Sequence, residues 1–238
     1  MPSLPTPYYE QDGITIYHGD AREIVPLLGA VDVTITDPPY GVELKGKRAK
    51  FTDPKRSTFR EGGYDHADTP EYIRDVVVPI IEQCRGISTA MALTPGIRNC
   101  FAYPDPDHIG TFYSSSGTGV SKWGFVCSQP ILYYGKDPYL RTRQGSRPDS
   151  FSGVYPNDAN KYDHPCAKPI RMWKWLVERA SLQGELILDP FLGSGATAQA
   201  ALETGRRCIG IELSERFCEV AVKRLQQSVL PMFAEAAS

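Results

Sequence analysis

The sequence predicts an α/β fold: a mostly parallel sheet with an antiparallel hairpin at one end. Three observations support this prediction. Apolar runs rich in β-branched residues, typical of buried strands, recur in the first half of the chain. In the last third, strand patterns alternate with helical ones, and such alternation favours a parallel sheet. The stretch Trp123 to Lys136 reads as two short strands broken near Gln129 and Pro130, which gives the hairpin.

Composition indicates one domain with inserted loops, spanning all 238 residues. The net charge of -2 argues against a uniformly basic nucleic-acid-binding surface. No apolar stretch reaches membrane-spanning length and no secretory pattern opens the chain, so we expect a cytoplasmic protein. The six cysteines show no C-x-x-C pair and no zinc-ligand spacing, so we expect reduced thiols and no metal.

The elements of the first half follow from local patterns. Ile14 to Asp20 predicts a strand and a turn, and Val31 to Thr36 predicts a buried strand. A helix is expected from Pro70 to about Arg85 and a strand from Gly86 to Pro95. Residues 98 to 122 read as loop.

The last third is more regular. Apolar residues at helical spacing predict a helix from Pro169 to Ser181, and Glu185 to Asp189 predicts a strand. A glycine-rich turn then leads into a helix that ends at Gly205. CIGIEL is a further strand, and Ser214 is the expected N-cap of a final helix to about Gln227.

Two stretches lack a core pattern and are predicted to be surface loops. A basic loop covers residues 41–69, and its cations include Lys45, Lys47 and Arg48. An insertion covers residues 137–163 and carries Arg141, Arg143 and Arg147. Each is either a binding element or an idle solvated loop.

The sequence ITDPPYG places a carboxylate at the end of the buried strand Val31 to Thr36. Ligand sites of open α/β sheets lie at the carboxyl ends of strands. Prolines fix the backbone, so Asp37, Pro38 and Pro39 predict a stiff spur with Tyr40 at its tip. An ordinary Asp-Pro turn is the alternative interpretation.

The sequence LILDPFLGSGATAQA matches a dinucleotide-binding turn at Gly193, Gly195 and Ala198, with Glu212 after the next strand. An NAD-binding dehydrogenase is therefore an alternative. However, Asp189 at the strand tip would repel a pyrophosphate and attract an ammonium group. Phe191 offers an apolar face, and Glu212 can accept two hydrogen bonds from ribose hydroxyls. A nucleoside with an amino-acid tail fits these features.

DPPY together with DPFLGSGAT resembles the amino-group-methylating DNA methyltransferases that use S-adenosylmethionine. DPPY precedes the glycine turn, and HPCAKP stands before the helix that leads into it, which resembles the permuted β-group motif order. The resemblance extends from about Ile14 to Leu225 and implies the Rossmann-like fold of these enzymes.

The resemblance also implies roles for individual residues. Asp189, Phe191, Gly193, Ser194 and Gly195 would form the cofactor cradle, with Glu212 on the ribose and Lys168 near the cofactor carboxylate. Asp20 would lie near the adenine, on a short match that a helix cap before Ala21 explains equally well. On the spur, Asp37 and the Pro38 carbonyl would each accept an N–H of the target amine, Pro39 would add stiffness, and Tyr40 would stack on the base.

A base inside a duplex cannot reach such a site, so the resemblance implies double-stranded DNA with a flipped-out base. The basic loop and the arginines of the insertion would contact phosphates. The insertion matches the position of the target-recognition region, and its shortness suggests a compact recognition surface or a contribution from a second subunit of a homodimer. The Asp-headed spur favours adenine N6 over cytosine N4. An RNA or protein amino-methyltransferase and a non-enzymatic relic are the remaining alternatives.

Overall fold

The structure is a computed structural model. It describes residues 3–41, 68–115, 117, 120–153 and 168–235, and it describes side chains only as far as residue 227. Lys45, Lys47 and Arg48 lie outside these residues, as do most of the basic loop and HPCA of the HPCAKP motif. Lys168, the lysine of that motif, is described.

Nine of the described strands form one sheet, in the order β1-β2-β11-β10-β3-β4-β8-β5-β9. The central strands β2, β11, β10, β3 and β4 are parallel, whereas β8 is antiparallel to both β4 and β5. The sheet strands are β1 (Tyr9–Gln11), β2 (Ile14–His18), β3 (Val31–Thr36), β4 (Ser88–Leu93), β5 (His108–Tyr113), β8 (Ser128–Gly135), β9 (Phe151–Ser152), β10 (Leu186–Asp189) and β11 (Arg207–Glu212). A separate two-stranded ribbon consists of β6 (Val120–Ser121) and β7 (Gly124–Phe125). The predicted α/β fold is confirmed.

Helices cover both faces of the sheet. One apolar core lies under α5 (Ile170–Ala180), α6 (Ala196–Glu203) and α7 (Glu215–Glu235). The other lies under α1 (Ala21–Ile24) and a helical segment from Pro70 to Ile87, made of α2 (Pro70–Tyr72), a π-helical turn (Ile73–Val77) and α3 (Val78–Ile87). A short helix, α4 (Pro138–Arg141), follows β8. The parallel strands are therefore buried on both faces, which explains their continuous apolar runs.

The strand order changes direction between β10 and β3. From β3 the chain continues to its neighbour β4, whereas from β10 it continues to β11 on the other side. Such a switch point leaves a crevice at the edge where the parallel strands end, here called the carboxyl edge. Asp37 directly follows β3, and Asp189 ends β10. Both carboxylates therefore meet at this crevice.

Two sequence expectations were wrong in this part of the fold. Residues 98–122 were expected to be loop, but β5 pairs with β8 along its whole length, and a contact distant in sequence gives no local signal. The predicted break near Gln129 and Pro130 is absent because β8 runs through Pro130. Proline has no N–H for the ladder, and opposite it Thr111 donates its own N–H to Ser150 Oγ at 3.0 Å.

The core under α5 generates a stability prediction. Leu176 is fully buried there, whereas Arg171 of the same helix is exposed. Leu176→Ala is expected to lower the free energy of unfolding by about 2–5 kcal/mol, because it removes buried methyl groups and leaves a cavity. Urea unfolding measures this, with Arg171→Ala as the control at less than about 0.5 kcal/mol. Equal effects of the two substitutions would contradict the assigned core.

Candidate active site

A pocket occupies the switch point at the carboxyl edge. Its walls include the spur (residues 37–40), residues 189–194 of the glycine turn, Glu212 and Lys168. Tyr72 and Phe217 add aromatic surface. The structure therefore brings the two sequence motifs, which lie 150 residues apart in the chain, into one cavity.

Asp189 is buried at the floor of this pocket and accepts several hydrogen bonds. Thr36 Oγ1 donates to its Oδ1 at 2.6 Å, and Thr197 Oγ1 donates to its Oδ2 at 2.5 Å. The Phe191 N–H also donates to Oδ1, at 3.1 Å, and the Trp173 indole N–H donates to Thr197 at 2.6 Å. Burial raises the pKa of Asp189 to about 6, although the hydrogen bonds from the two threonines oppose the rise.

Glu212 holds the glycine turn through hydrogen bonds from the backbone. The Gly193 N–H donates to Glu212 Oε2 at 2.7 Å, and the Ser214 N–H donates to Oε1 at 2.8 Å. Gly193 and Gly195 have left-handed backbones, with φ of 54° and 80°. A side chain on Gly195 would meet Ala221 of α7 at 2.7 Å, so this glycine serves helix packing and does not line the pocket.

The Asp37 carboxylate at the base of the spur already has several partners. Its Oδ1 accepts from Thr94 Oγ1 at 2.5 Å and from the Tyr40 hydroxyl at 2.6 Å, and Lys168 Nζ lies 3.1 Å from its Oδ2. Lys168 also donates to the Tyr40 hydroxyl, and its Nζ stands 4.8 Å from the centre of the Tyr40 ring. The carboxylate is thus oriented and its charge is paired.

The backbone of the spur is fixed by the chain that follows β4. Asn99 Nδ2 donates to the Tyr40 carbonyl at 2.7 Å, and a side chain on Gly96 would meet the Tyr40 ring at 2.9 Å. On the other side, the Gly41 N–H donates to the buried Asp68 at 2.6 Å. These contacts agree with the stiffness that the two prolines predict.

Asp20 and Lys168, which are predicted to contact the cofactor, both line the pocket and are both bonded to other protein groups. Asp20 is the N-cap of α1 and accepts the Arg22 N–H at 2.8 Å, as the interpretation of a helix cap before Ala21 expected. The Arg22 side chain that donates to it lowers the pKa of this carboxyl. Lys168 lies on the spur side of the pocket, against Asp37. Their proximity to the cofactor remains a prediction.

The arginines of the insertion lie elsewhere. Arg141 pairs at 2.7 Å with Glu185, which precedes β10 and so lies at the opposite edge of the sheet from Asp189. Arg147 packs over the Tyr139 ring at 4.5 Å, and Arg143 sits in the turn after α4. The chain leaves β8 at Gly135, beside the start of β4, and this direction carries the three arginines away from the spur. The insertion returns toward the carboxyl edge at β9, where Ser152 pairs with Tyr113, and its residues 154–163 lie outside the described residues. The structure does not bring these arginines to the pocket.

Sequence reasoning missed Thr36, Thr94, Thr197 and Asn99. Thr94 had a usable signal, because it follows β4 at the carboxyl edge just as Asp37 follows β3. Thr36 ends a strand whose pattern is apolar, and Asn99 lies in a segment that was expected to be loop. Their contacts depend on elements distant in the chain.

Within the described residues, no helix is long and apolar enough to cross a membrane. No group of three or more His, Cys, Asp or Glu side chains in that part of the chain could hold a metal ion.

The fold and the site together define an α/β enzyme with a nucleoside-type pocket beside an acidic spur. The family of DNA methylases that modify N6 or N4 amino groups matches residues 97–223, more than half of the chain, and the protein belongs to this family. The enzymes of this family use S-adenosylmethionine. Membership decides against the NAD-binding dehydrogenase.

Curated relatives and solved structures agree with this assignment. The chain is 24% identical to the type II methyltransferase M.ScaI of Streptomyces caespitosus, over 97% of this chain and 87% of that protein. It is 27% identical to the type II methyltransferase M2.DpnII of Streptococcus pneumoniae, over 94% and 93%. The structure of M1.HpyAVI bound to SAM aligns with a TM-score of 0.64 at 19% identity, covering 89% of this chain and 98% of that one. The PvuII DNA methyltransferase, which is named as cytosine-N4-specific, aligns with a TM-score of 0.63 at 12% identity. This alignment covers 92% of this chain and 88% of that one.

The raised pKa of Asp189 predicts a pH-dependent stability. Between the ordinary carboxyl pKa near 4 and about 6, the folded protein holds a proton that the unfolded chain releases. A rise in pH across this window therefore lowers the free energy of unfolding, by about 2–4 kcal/mol relative to Asp189→Asn, which cannot titrate. Urea unfolding of both proteins from pH 4 to pH 8 measures the difference, and parallel pH profiles would contradict the assignment.

Proposed function

We propose that the protein transfers a methyl group from S-adenosylmethionine to the N6 amino group of an adenine flipped out of double-stranded DNA. The observation that carries this proposal is the shared pocket. The glycine turn and Glu212 form one wall, and the Asp37 carboxylate of the spur stands on the other. Family membership supplies the reaction class.

The pocket residues fit the cofactor chemically. When bound, the cofactor supplies an electrophilic methyl group. Carboxylates at Asp20 and Glu212 can accept hydrogen bonds from nucleoside groups, and the Phe191 ring offers an apolar face. Asp189 supports this wall by holding the Phe191 N–H and the two threonines.

Asp37 is the acceptor for the target amine. An exocyclic amine conjugated to a ring is a poor nucleophile, and acceptors on its N–H groups orient its lone pair toward the electrophile. In this structure the Tyr40 hydroxyl occupies Asp37 Oδ1. Base entry therefore displaces this hydroxyl, which frees the Tyr40 ring to stack on the base, while Thr94 and Lys168 keep the carboxylate in place.

DNA contacts are proposed for the basic loop and the insertion. Lys45, Lys47 and Arg48 follow Tyr40 by five to eight residues in the sequence, and their cations are proposed to contact phosphates. The three arginines of the insertion, Arg141, Arg143 and Arg147, lie at the edge of the sheet away from the spur. They can contact DNA if the duplex extends to that edge, or if they belong to the second subunit of a homodimer and reach the DNA bound by the first.

The choice of adenine rests on Asp37, since an Asp-headed spur resembles that of the adenine enzymes. The spur chemistry would serve cytosine N4 equally well. Two relatives point in opposite directions: the PvuII enzyme is named as cytosine-N4-specific, and Escherichia coli YhdJ, 36% identical over 63 residues, is named as a DNA adenine methyltransferase.

One incubation tests the proposed function. The enzyme receives radiolabelled S-adenosylmethionine with duplex DNA, RNA or protein in separate tubes, and labelled DNA is digested to nucleosides for mass analysis. We expect label in DNA only, as N6-methyladenine. N4-methylcytosine as the product would overturn the base assignment alone, whereas label only in RNA or protein would overturn the DNA substrate.

The role of Asp37 generates a prediction about catalysis. Asp37→Ala is expected to lower the methyl-transfer rate by on the order of 100-fold or more, because the amine loses an oriented acceptor. Cofactor affinity, measured by calorimetry, should stay within about threefold. Asp75→Ala removes an exposed carboxylate from the helical segment that follows the basic loop and serves as the control. Transfer that survives in Asp37→Ala would remove Asp37 from the reaction.

A further inference from the structure

Large apolar side chains are exposed at the carboxyl edge beside the spur. Phe101 is 98% exposed and Trp123 is 100% exposed, and Ile97, Val120 and Phe125 are also exposed. These five residues are called the aromatic rim. Neither core cluster includes any of them.

Phe101 stands on a short 3-10 helix (Cys100–Ala102) that is anchored to the spur. On one side, Asn99 donates to the Tyr40 carbonyl at 2.7 Å and its own carbonyl accepts the Ala102 N–H at 2.9 Å. On the other side, Tyr103 is buried at 5% exposure. The exposed Phe101 ring is therefore carried two residues after Asn99, the residue that contacts the spur. The Cα atoms of these two residues are at most about 8 Å apart.

The β6–β7 ribbon projects from the same edge. Leu132 of β8 pairs with Leu93 at the end of β4, and β8 extends four residues further in this direction to Ser128, opposite Tyr113. At about 3.3 Å per residue the ribbon therefore starts about 13 Å beyond the strand ends. Its tip carries Trp123.

The charge of these segments matches a polyanion. Residues 94–104 and 114–128 contain no Asp or Glu, and they carry Arg98 and Lys122 beside the exposed rings. No carboxylate of these two segments would therefore repel a phosphate. An apolar rim with cations and no carboxylates in its own segments fits nucleic acid, whose bases offer stacking faces between phosphates.

We infer that the aromatic rim seats the DNA duplex and that Phe101 inserts into the base stack where the target base leaves it; this inference rests on the proposed function. Removal of a base from a duplex exposes the faces of its neighbours. Apolar wedges inserted between base steps are an established way to hold DNA in a deformed state. Phe101 provides such a wedge at a fixed distance from the spur, and Trp123 contacts the duplex further along.

Phe101→Ala and Phe101→Trp test the wedge, with Ile109→Ala as the control. Ile109 is also exposed, at 60%, but it pairs with Leu132 near the start of β5, at the end of that strand away from the rim. The substrate is unmethylated genomic duplex DNA amplified in vitro, at a concentration below KM. We expect Phe101→Ala to lower methyl transfer at least tenfold with unchanged cofactor affinity, while Phe101→Trp and Ile109→Ala stay within about threefold of the unchanged enzyme.

Two further measurements separate a DNA contact from other roles. Trp123 is the fully exposed member of three tryptophans, since Trp173 is buried and Trp175 is partly buried. Base stacking should therefore quench the fluorescence of the unchanged enzyme on addition of DNA, and Trp123→Phe should abolish that quenching. Sedimentation equilibrium of Phe101→Ala and Trp123→Phe should match that of the unchanged enzyme.

The contrary outcomes are distinct. Transfer by Phe101→Ala within twofold of the unchanged enzyme, or quenching that survives in Trp123→Phe, would overturn the inference and leave the proposed function intact. A change in oligomeric state would assign the rim to a second copy of the chain. Lost cofactor affinity would make Phe101 part of the pocket. An unchanged enzyme that labels no DNA would instead overturn the proposed function itself.

Discussion

The hydrogen bond from Thr36 to Asp189 joins the two halves of the site. Thr36 is the last residue of β3 and Asp189 the last of β10, 153 residues later, and both are buried. A buried carboxylate is stable only when donors satisfy it, and its donors here come from β3, α6 and the glycine turn. At the ends of the paired strands β3 and β10, this one carboxylate therefore connects the strand that leads into the spur, the glycine turn and the helix that follows the turn.

At the surface of the pocket, the Asp37 carboxylate of the spur is likewise held by several partners. The two prolines of the spur restrict the backbone, and hydrogen bonds to Asn99 and Asp68 hold its tip from both sides. The Asp37 carboxylate is oriented by Thr94 and paired with Lys168, so it need not reorganise when a base arrives. In the proposed reaction the Tyr40 hydroxyl has to move, because it donates to the Asp37 oxygen that is proposed to accept from the target amine.

The sequence predicted the parallel sheet and both pocket motifs, because each of these has a local signature. DPPY and the glycine turn are contiguous, and the helices of the last third show clear periodicity. The prediction failed where pairing is distant: β5 forms because β8 lies beside it. β8 accommodates Pro130 because the Thr111 N–H opposite it points away from β8 to Ser150, so this pair needs no N–H from the proline. Arg141 lies at the edge of the sheet away from the spur because antiparallel β8 delivers the chain there, and spacing along the sequence does not show that direction. Its contact with DNA stays a prediction.

The central claim is that the Thr36–Asp189 hydrogen bond sets the relative positions of the donor and acceptor walls. Thr36→Val removes the hydroxyl with little change of shape, and single-turnover methyl transfer with saturating cofactor and DNA measures the consequence. The account predicts that the transfer rate falls at least about tenfold while both binding affinities stay within about threefold, because misplacement by a fraction of an ångström impairs transfer more than binding. An unchanged single-turnover rate in a folded Thr36→Val protein would contradict it.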